Sequence, residues 1–174
     1  MLNVIQKYFT NMTNIKHQAF TFWGQYLFLA SFVSPNLKEE SFLVTLIICF
    51  SWYTMVLYDF FKKGKLFNCM YLLYPDINKT HLHLSDILIH VCPLFISFHR
   101  LHYLSLIDVF YTWLYCRLWS FIQSNGKSIF YMKLNDPIYF TYCIYGWYIF
   151  YFVESLILFV AFGHILFVNN LKVF

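Results

Sequence analysis

The run SFLVTLIICFSWYTMVLYDFF, Ser41 to Phe61, is 21 residues long with one charged side chain, Asp59, and stops at Lys62-Lys63-Gly64-Lys65. A helix rises about 1.5 Å per residue, so roughly 20 apolar residues cross a hydrocarbon layer about 30 Å thick. The run has that length and a basic stop. Four further apolar runs share its character. Phe20 to Ser34 ends before Pro35, and Leu84 to Phe98 is short and interrupted by Pro93. The others are Leu101 to Ile122 and Ile138 to Val168, the last long enough to tilt in a bilayer or overrun it.

Only 11% of the 174 residues are charged and 60% are hydrophobic. A soluble domain carries about 25% charged residues, so this much apolar surface calls for lipid as solvent. Backbone groups in lipid must bond within helices or closed barrels. A barrel alternates apolar and polar residues, and this chain does not. The expected fold is an all-α, polytopic membrane helical bundle of about five transmembrane helices, over spans of about 20–34, 41–61, 84–98, 101–122 and 138–168. No repeat, low-complexity tract or linker divides residues 1–174, which read as one integral membrane domain. The net charge of +4 is dispersed, without the clustered basic patch of a nucleic-acid binder.

The first residues lack the continuous apolar stretch and small-residue cleavage site of a secretory signal, so anchoring is expected from the spans themselves. Five spans place Lys7, Lys16, Lys62, Lys63, Lys65, Lys79, Lys127 and Lys133 on the N-terminal side, against Lys38, Arg100 and Lys172 on the other. Eight against three predicts a cytoplasmic N-terminus. The sequons at Asn11 and Asn78 then face the cytoplasm and stay unmodified. Entry through the endoplasmic reticulum is the simplest route, with the final endomembrane left open. The five cysteines form no CxxC pair; four lie in apolar runs and Cys69 in a loop, where they read as small apolar residues rather than a disulfide framework.

Ionisable side chains within spans are costly and face a bundle interior or a wet cavity. They are Asp86, His90, Asp108, Arg117, Glu154 and His164. Asp86 and His90, four apart, share a helix face. A carboxylate that accepts from one imidazole nitrogen fixes the tautomer and leaves the other free to act as a base. The plainer reading is that both side chains bond to neighbouring helices. Glu154 reads as a buried partner of Arg117. His83 and His90 lie about 10 Å apart along a helix, too far for one ion, and the HxxH of His99 and His102 reads as an interfacial turn. No metal and no cofactor is expected. Hydroxyls within or beside the spans include Thr21, Thr45, Thr54, Thr112 and Thr141, and composition does not choose a nucleophile among them.

LSDILIHVCP, Leu84 to Pro93, carries an Asp four residues before a His and a Pro three after it. This resembles the hallmark of the androgen-induced-gene family, also called the androgen-dependent TFPI-regulating-protein family, of multi-pass membrane threonine hydrolases. SWYTMVLYD, Ser51 to Asp59, is similar to that family's aromatic span ending in Asp. YTWLYCRLWSFIQSNG, Tyr111 to Gly126, with Asp136, Pro137 and the last run, is similar to its Trp-rich span, Asn-Gly turn and Pro-led final helix. The resemblance covers about Ala19 to Val168. It departs from the family pattern at a missing first span, at the absent Trp before the nucleophile, and at a lost Tyr-Pro after the Asn-Gly turn.

The resemblance implies hydrolysis of fatty acid esters of hydroxy fatty acids by a Thr–His pair. By position the nucleophile is Thr21, in AFTFWGQYLFLASFV, and the base is His90, oriented by Asp86. Phe22, Trp23, Trp52 and Trp113 would line a tunnel for the acyl chains, with an oxyanion donor from backbone freed near Pro93 or from Asn125. Partners are then membrane lipids and a lipid ester, with oligomeric state open. Two other classes fit the same residues. One is a non-catalytic assembly or lipid-binding subunit, in which Asp86, His90, Arg117 and Glu154 join helices. The other is a small proton-coupled carrier using Asp86, His90 and Glu154 as a relay.

Overall fold

The computed structural model describes residues 20–64, 66, 78–125 and 137–171. Among them the chain is all-helical, without strands. The elements are α1 (Phe20–Val33), a 3-10 turn (Pro35–Leu37), α2 (Lys38–Lys63), α3 (Lys79–Asp86), a π-helical turn (Ile87–Val91), α4 (Cys92–Arg100), α5 (Leu106–Asn125) and α6 (Pro137–Leu171). The Asn11 sequon, Cys69 and Lys65 lie outside the described residues, as do the side chains of Phe22, Asn125, Thr141 and Cys143.

Local chemistry sets the helix ends. Ser34 is extended at φ −114°, ψ 102°, because the ring of Pro35 crowds an α conformation in the residue before it. Gly64 closes α2 in the left-handed region at φ 65°, and its N–H donates to the Phe60 carbonyl at 2.9 Å. Asn78 starts α3, accepting from the Thr80 N–H at 2.9 Å. At α5, Ser105 and Asp108 form a reciprocal capping box. The Ser105 N–H and hydroxyl donate to Asp108 Oδ2 at 2.6 Å, and the Asp108 N–H donates to Ser105 Oγ at 3.4 Å. The fourth apolar run therefore becomes helical at Leu106, five residues later than its sequence suggests, and Asp108 is a cap rather than a mid-span charge.

α2 is the hub, packing against α1, the π turn, α4, α5 and α6. Gly24 lets α1 approach it closely: a Cβ there would run into Ile48 and Val44. The core closes where Phe20, Trp119 and Phe150 meet, with ring centroids 4.8 to 5.0 Å apart, over Val44, Ile47, Ile48 and Cys116. Such tilted and edge-on aromatic contacts suit the ring quadrupoles.

Among the described residues, three helical stretches are long and apolar enough to cross a membrane: Pro35–Lys62, Lys79–Arg100 and Tyr148–Val168. The outward faces are apolar as well. Phe152, Phe159, Val160 and Phe167 stand exposed along α6, and Ile107, Phe110, Leu114 and Phe121 along α5. Helices apolar both inside and out are compatible with an integral membrane protein.

Candidate functional site

The Asp86–His90 pair forms as the spacing predicts. His90 Nδ1 lies 2.9 Å from Asp86 Oδ1 and 3.3 Å from the Asp86 carbonyl, so Nδ1–H donates toward acceptors only. Both side chains are sheltered, 10% and 3% exposed for His90 and Asp86. α2 supplies the rest of the surroundings. The Tyr53 hydroxyl donates to the second oxygen, Asp86 Oδ2, at 3.0 Å. Trp52 lies flat on the imidazole, centroids 4.8 Å apart and planes within 6°. Nε2 makes no hydrogen bond among the described residues, and in the tautomer that donates from Nδ1 it carries the lone pair. The contacts hold the imidazole in one orientation. Trp52 Nε1 beside it is a buried donor with no hydrogen-bond partner among the described residues.

The backbone at this point is irregular for a stated reason. Pro93 has no N–H to return to the carbonyl four residues back, that of Ile89. The helix passes through a π turn, with the Cys92 N–H bonded to the Ile87 carbonyl five back. Gln25 on α1 donates its side-chain amide to the Ile89 carbonyl at 2.6 Å. The group that Pro93 frees is thus an acceptor, already occupied. It is not the oxyanion donor the sequence suggested.

Thr21 is half-buried on α1, one turn before Gln25 and on the same face. Among the described residues no hydrogen bond joins it to His90 or Asp86. The aromatic residues divide. Trp52 belongs to the His90 surroundings. Trp23 packs edge-on against Tyr115 at 5.7 Å, and its carbonyl accepts from the Tyr115 hydroxyl at 2.6 Å. Trp113 stands on the exposed face of α5, 45% accessible, beside Phe110. The structure therefore groups Trp52 with the pair and sets Trp23 and Trp113 on other faces. Asn125 ends α5.

The other charged side chains of these apolar helices pair elsewhere. Arg117 on α5 forms an ion pair with Glu154 on α6, as the sequence suggested, and stacks over the Tyr151 ring at 4.6 Å. One Glu154 oxygen, Oε2, is thus engaged by Arg117, and the other, Oε1, is buried with no hydrogen-bond partner among the described residues. Arg100 Nη1 donates to Ser31 Oγ at 2.9 Å, its second nitrogen reaches the Ser31 carbonyl, and the guanidinium lies over Phe32. A cation at the last turn of α1 is well placed for its free carbonyls. His164 is exposed on α6, and His99 and His102 are exposed around the end of α4.

Tyr53 and Gln25 were not evident from sequence. A hydroxyl two residues beyond Ser51 and an amide in an apolar run have no spacing that links them to Asp86 or Ile89. The one available signal was Pro93, which demands a donor for Ile89 from another helix. Asp59 and Glu40 are also buried, at 0% and 8% exposure, and sequence analysis did not single them out as intramembrane charges.

No protein-family model, curated protein or solved structure matches the chain.

Proposed function

We propose that the chain is an intramembrane hydrolase of lipid esters, of the fatty acid ester of hydroxy fatty acid type, in the manner of the androgen-induced-gene family. The supporting observation is the Tyr53–Asp86–His90 chain, which engages Nδ1 and leaves Nε2 as a directed base. In this reading His90 Nε2 takes the proton of Thr21 Oγ as the oxygen attacks the ester carbonyl carbon. The carbon–oxygen bond to the leaving alkoxide then breaks, and His90 returns the proton to it. Water, deprotonated by the same nitrogen, then attacks the acyl carbon, the bond to the Thr21 oxygen breaks, and His90 returns the proton to that oxygen as the acid leaves. Trp52 Nε1–H is the candidate donor to the developing oxyanion. Substrate reaches the pair laterally from lipid, so neither water-soluble substrate nor cofactor is required.

The same reading takes all five apolar runs as spans, with the N-terminus cytoplasmic and insertion through the endoplasmic reticulum. Its test is turnover. Purified protein in liposomes containing a fatty acid ester of a hydroxy fatty acid should release free hydroxy acid, and His90→Ala should abolish the release. Wild-type liposomes with no release above protein-free ones would refute the assignment.

A second reading has its own support. Arg117–Glu154, Arg100–Ser31 and Gln25–Ile89 each join two helices, as polar contacts in a non-catalytic membrane subunit would. That reading predicts that His90→Ala lowers stability and changes no chemistry.

A further inference from the structure

Gln25 has no part in the reaction just described, yet it makes the bond that ties the two helices of that reaction together. It lies one turn after Thr21 on α1, and its amide donates at 2.6 Å to the carbonyl of Ile89, the residue before His90. The Ile89 carbonyl is available because Pro93 cannot donate to it, and His90 itself lies in the π turn Ile87–Val91. π turns replace the i→i+4 ladder by i→i+5 bonds, here Cys92 N–H to the Ile87 carbonyl, and they recur at functional sites. An outside donor on the peptide adjoining His90 takes the place of the bond that Pro93 cannot make. The donor's helix is the one that carries Thr21.

We propose that Gln25 is a positioning residue: its bond to Ile89 sets the His90 peptide against the Thr21 helix, fixing the separation of base and nucleophile. This rests on the Thr21–His90 hydrolase reading. A simpler role is possible chemically, in which Gln25 merely satisfies a carbonyl that lipid would otherwise strand. The two roles separate because Pro93→Ala restores an N–H able to bond Ile89 within the helix.

The experiment compares wild type, Gln25→Met, Pro93→Ala and the double variant in detergent micelles. Three quantities are measured: thermal stability, the rate of fluorophosphonate labelling, and the rate of His90 carbethoxylation by diethyl pyrocarbonate, mapped by mass spectrometry. Positioning predicts that Gln25→Met slows labelling about 10-fold or more, since small misplacements of reacting groups carry losses of that order. It also predicts that the double variant regains thermal stability while labelling stays slow and His90 carbethoxylation stays altered. Recovery of both rates in the double variant would overturn the proposal in favour of carbonyl satisfaction alone. Wild-type rates in Gln25→Met would overturn it outright. If wild type does not label, the hydrolase reading fails, and carbethoxylation alone decides whether Gln25 sets His90.

Discussion

Trp52 lies parallel to His90, ring planes within 6° and centroids 4.8 Å apart. The contact joins the hub helix α2 to the π turn and closes one face of the imidazole. With Asp86 holding Nδ1, it removes the freedom of the ring to flip. Trp52→Phe, which keeps a flat face but loses the indole N–H assigned to the oxyanion, should therefore slow a reaction at Nε2 about 100-fold, and Trp52→Ala, which loses the stack as well, should slow it further. Fluorophosphonate labelling rates check this. Equal losses in both variants would assign the effect to the indole N–H rather than to the stack.

Asp86→Asn keeps the shape of the carboxylate and removes its charge. The side chain can then present an N–H to Nδ1, which favours the opposite tautomer and places the proton on Nε2. The variant should label about 100-fold more slowly, within the usual range for loss of positioned acid–base catalysis. Tyr53→Phe leaves the carboxylate in place and removes one of its partners, so it should cost less than Asp86→Asn. Parallel labelling time courses order the two.

Glu154 is 1% exposed and its partner Arg117 is 33% exposed. Breaking the pair at Arg117 leaves a buried carboxylate alone. Arg117→Met should destabilise by about 3 kcal/mol, the lower end for a buried pair because the guanidinium is partly outside. The double variant Arg117→Met with Glu154→Leu should regain most of this. Unfolding in mixed micelles measures both, and a double variant no better than the single would contradict the pairing.

The Ser105–Asp108 box is a single unit. Ser105→Ala and Asp108→Ala should each cost about 1 kcal/mol, and the double variant should cost less than their sum. The same unfolding assay checks the coupling.

Orientation is accessible through glycosylation. With the N-terminus cytoplasmic, Asn78 stays unmodified in microsomes while an acceptor sequon appended after Phe174 is modified. Glycan on Asn78 would reverse the assignment.

Much of this was legible in the chain because it is local. The stop at Pro35, the glycine at position 64 and the Asp86–His90 spacing all depend on neighbours within one turn. Arg117 with Glu154 was legible for another reason: two lone opposite charges in apolar surroundings have few partners. The Tyr53 and Gln25 contacts were hidden because they cross between helices, where register is set by packing of many apolar residues that look alike in sequence. Asp108 misled because three hydrogen bonds within Ser105-x-x-Asp108 make a helix start inside what reads as one apolar run. The division of Trp52 from Trp23 and Trp113 was likewise a matter of helix rotation.

The most direct test of the central claim is covalent labelling by a fluorophosphonate probe in membranes, comparing wild type with Thr21→Ala and His90→Ala at matched expression. The account predicts a labelled wild type, with the adduct mapped to Thr21, and no labelling in either variant. An unlabelled wild type, or labelling that survives both substitutions, would contradict a Thr21–His90 hydrolase.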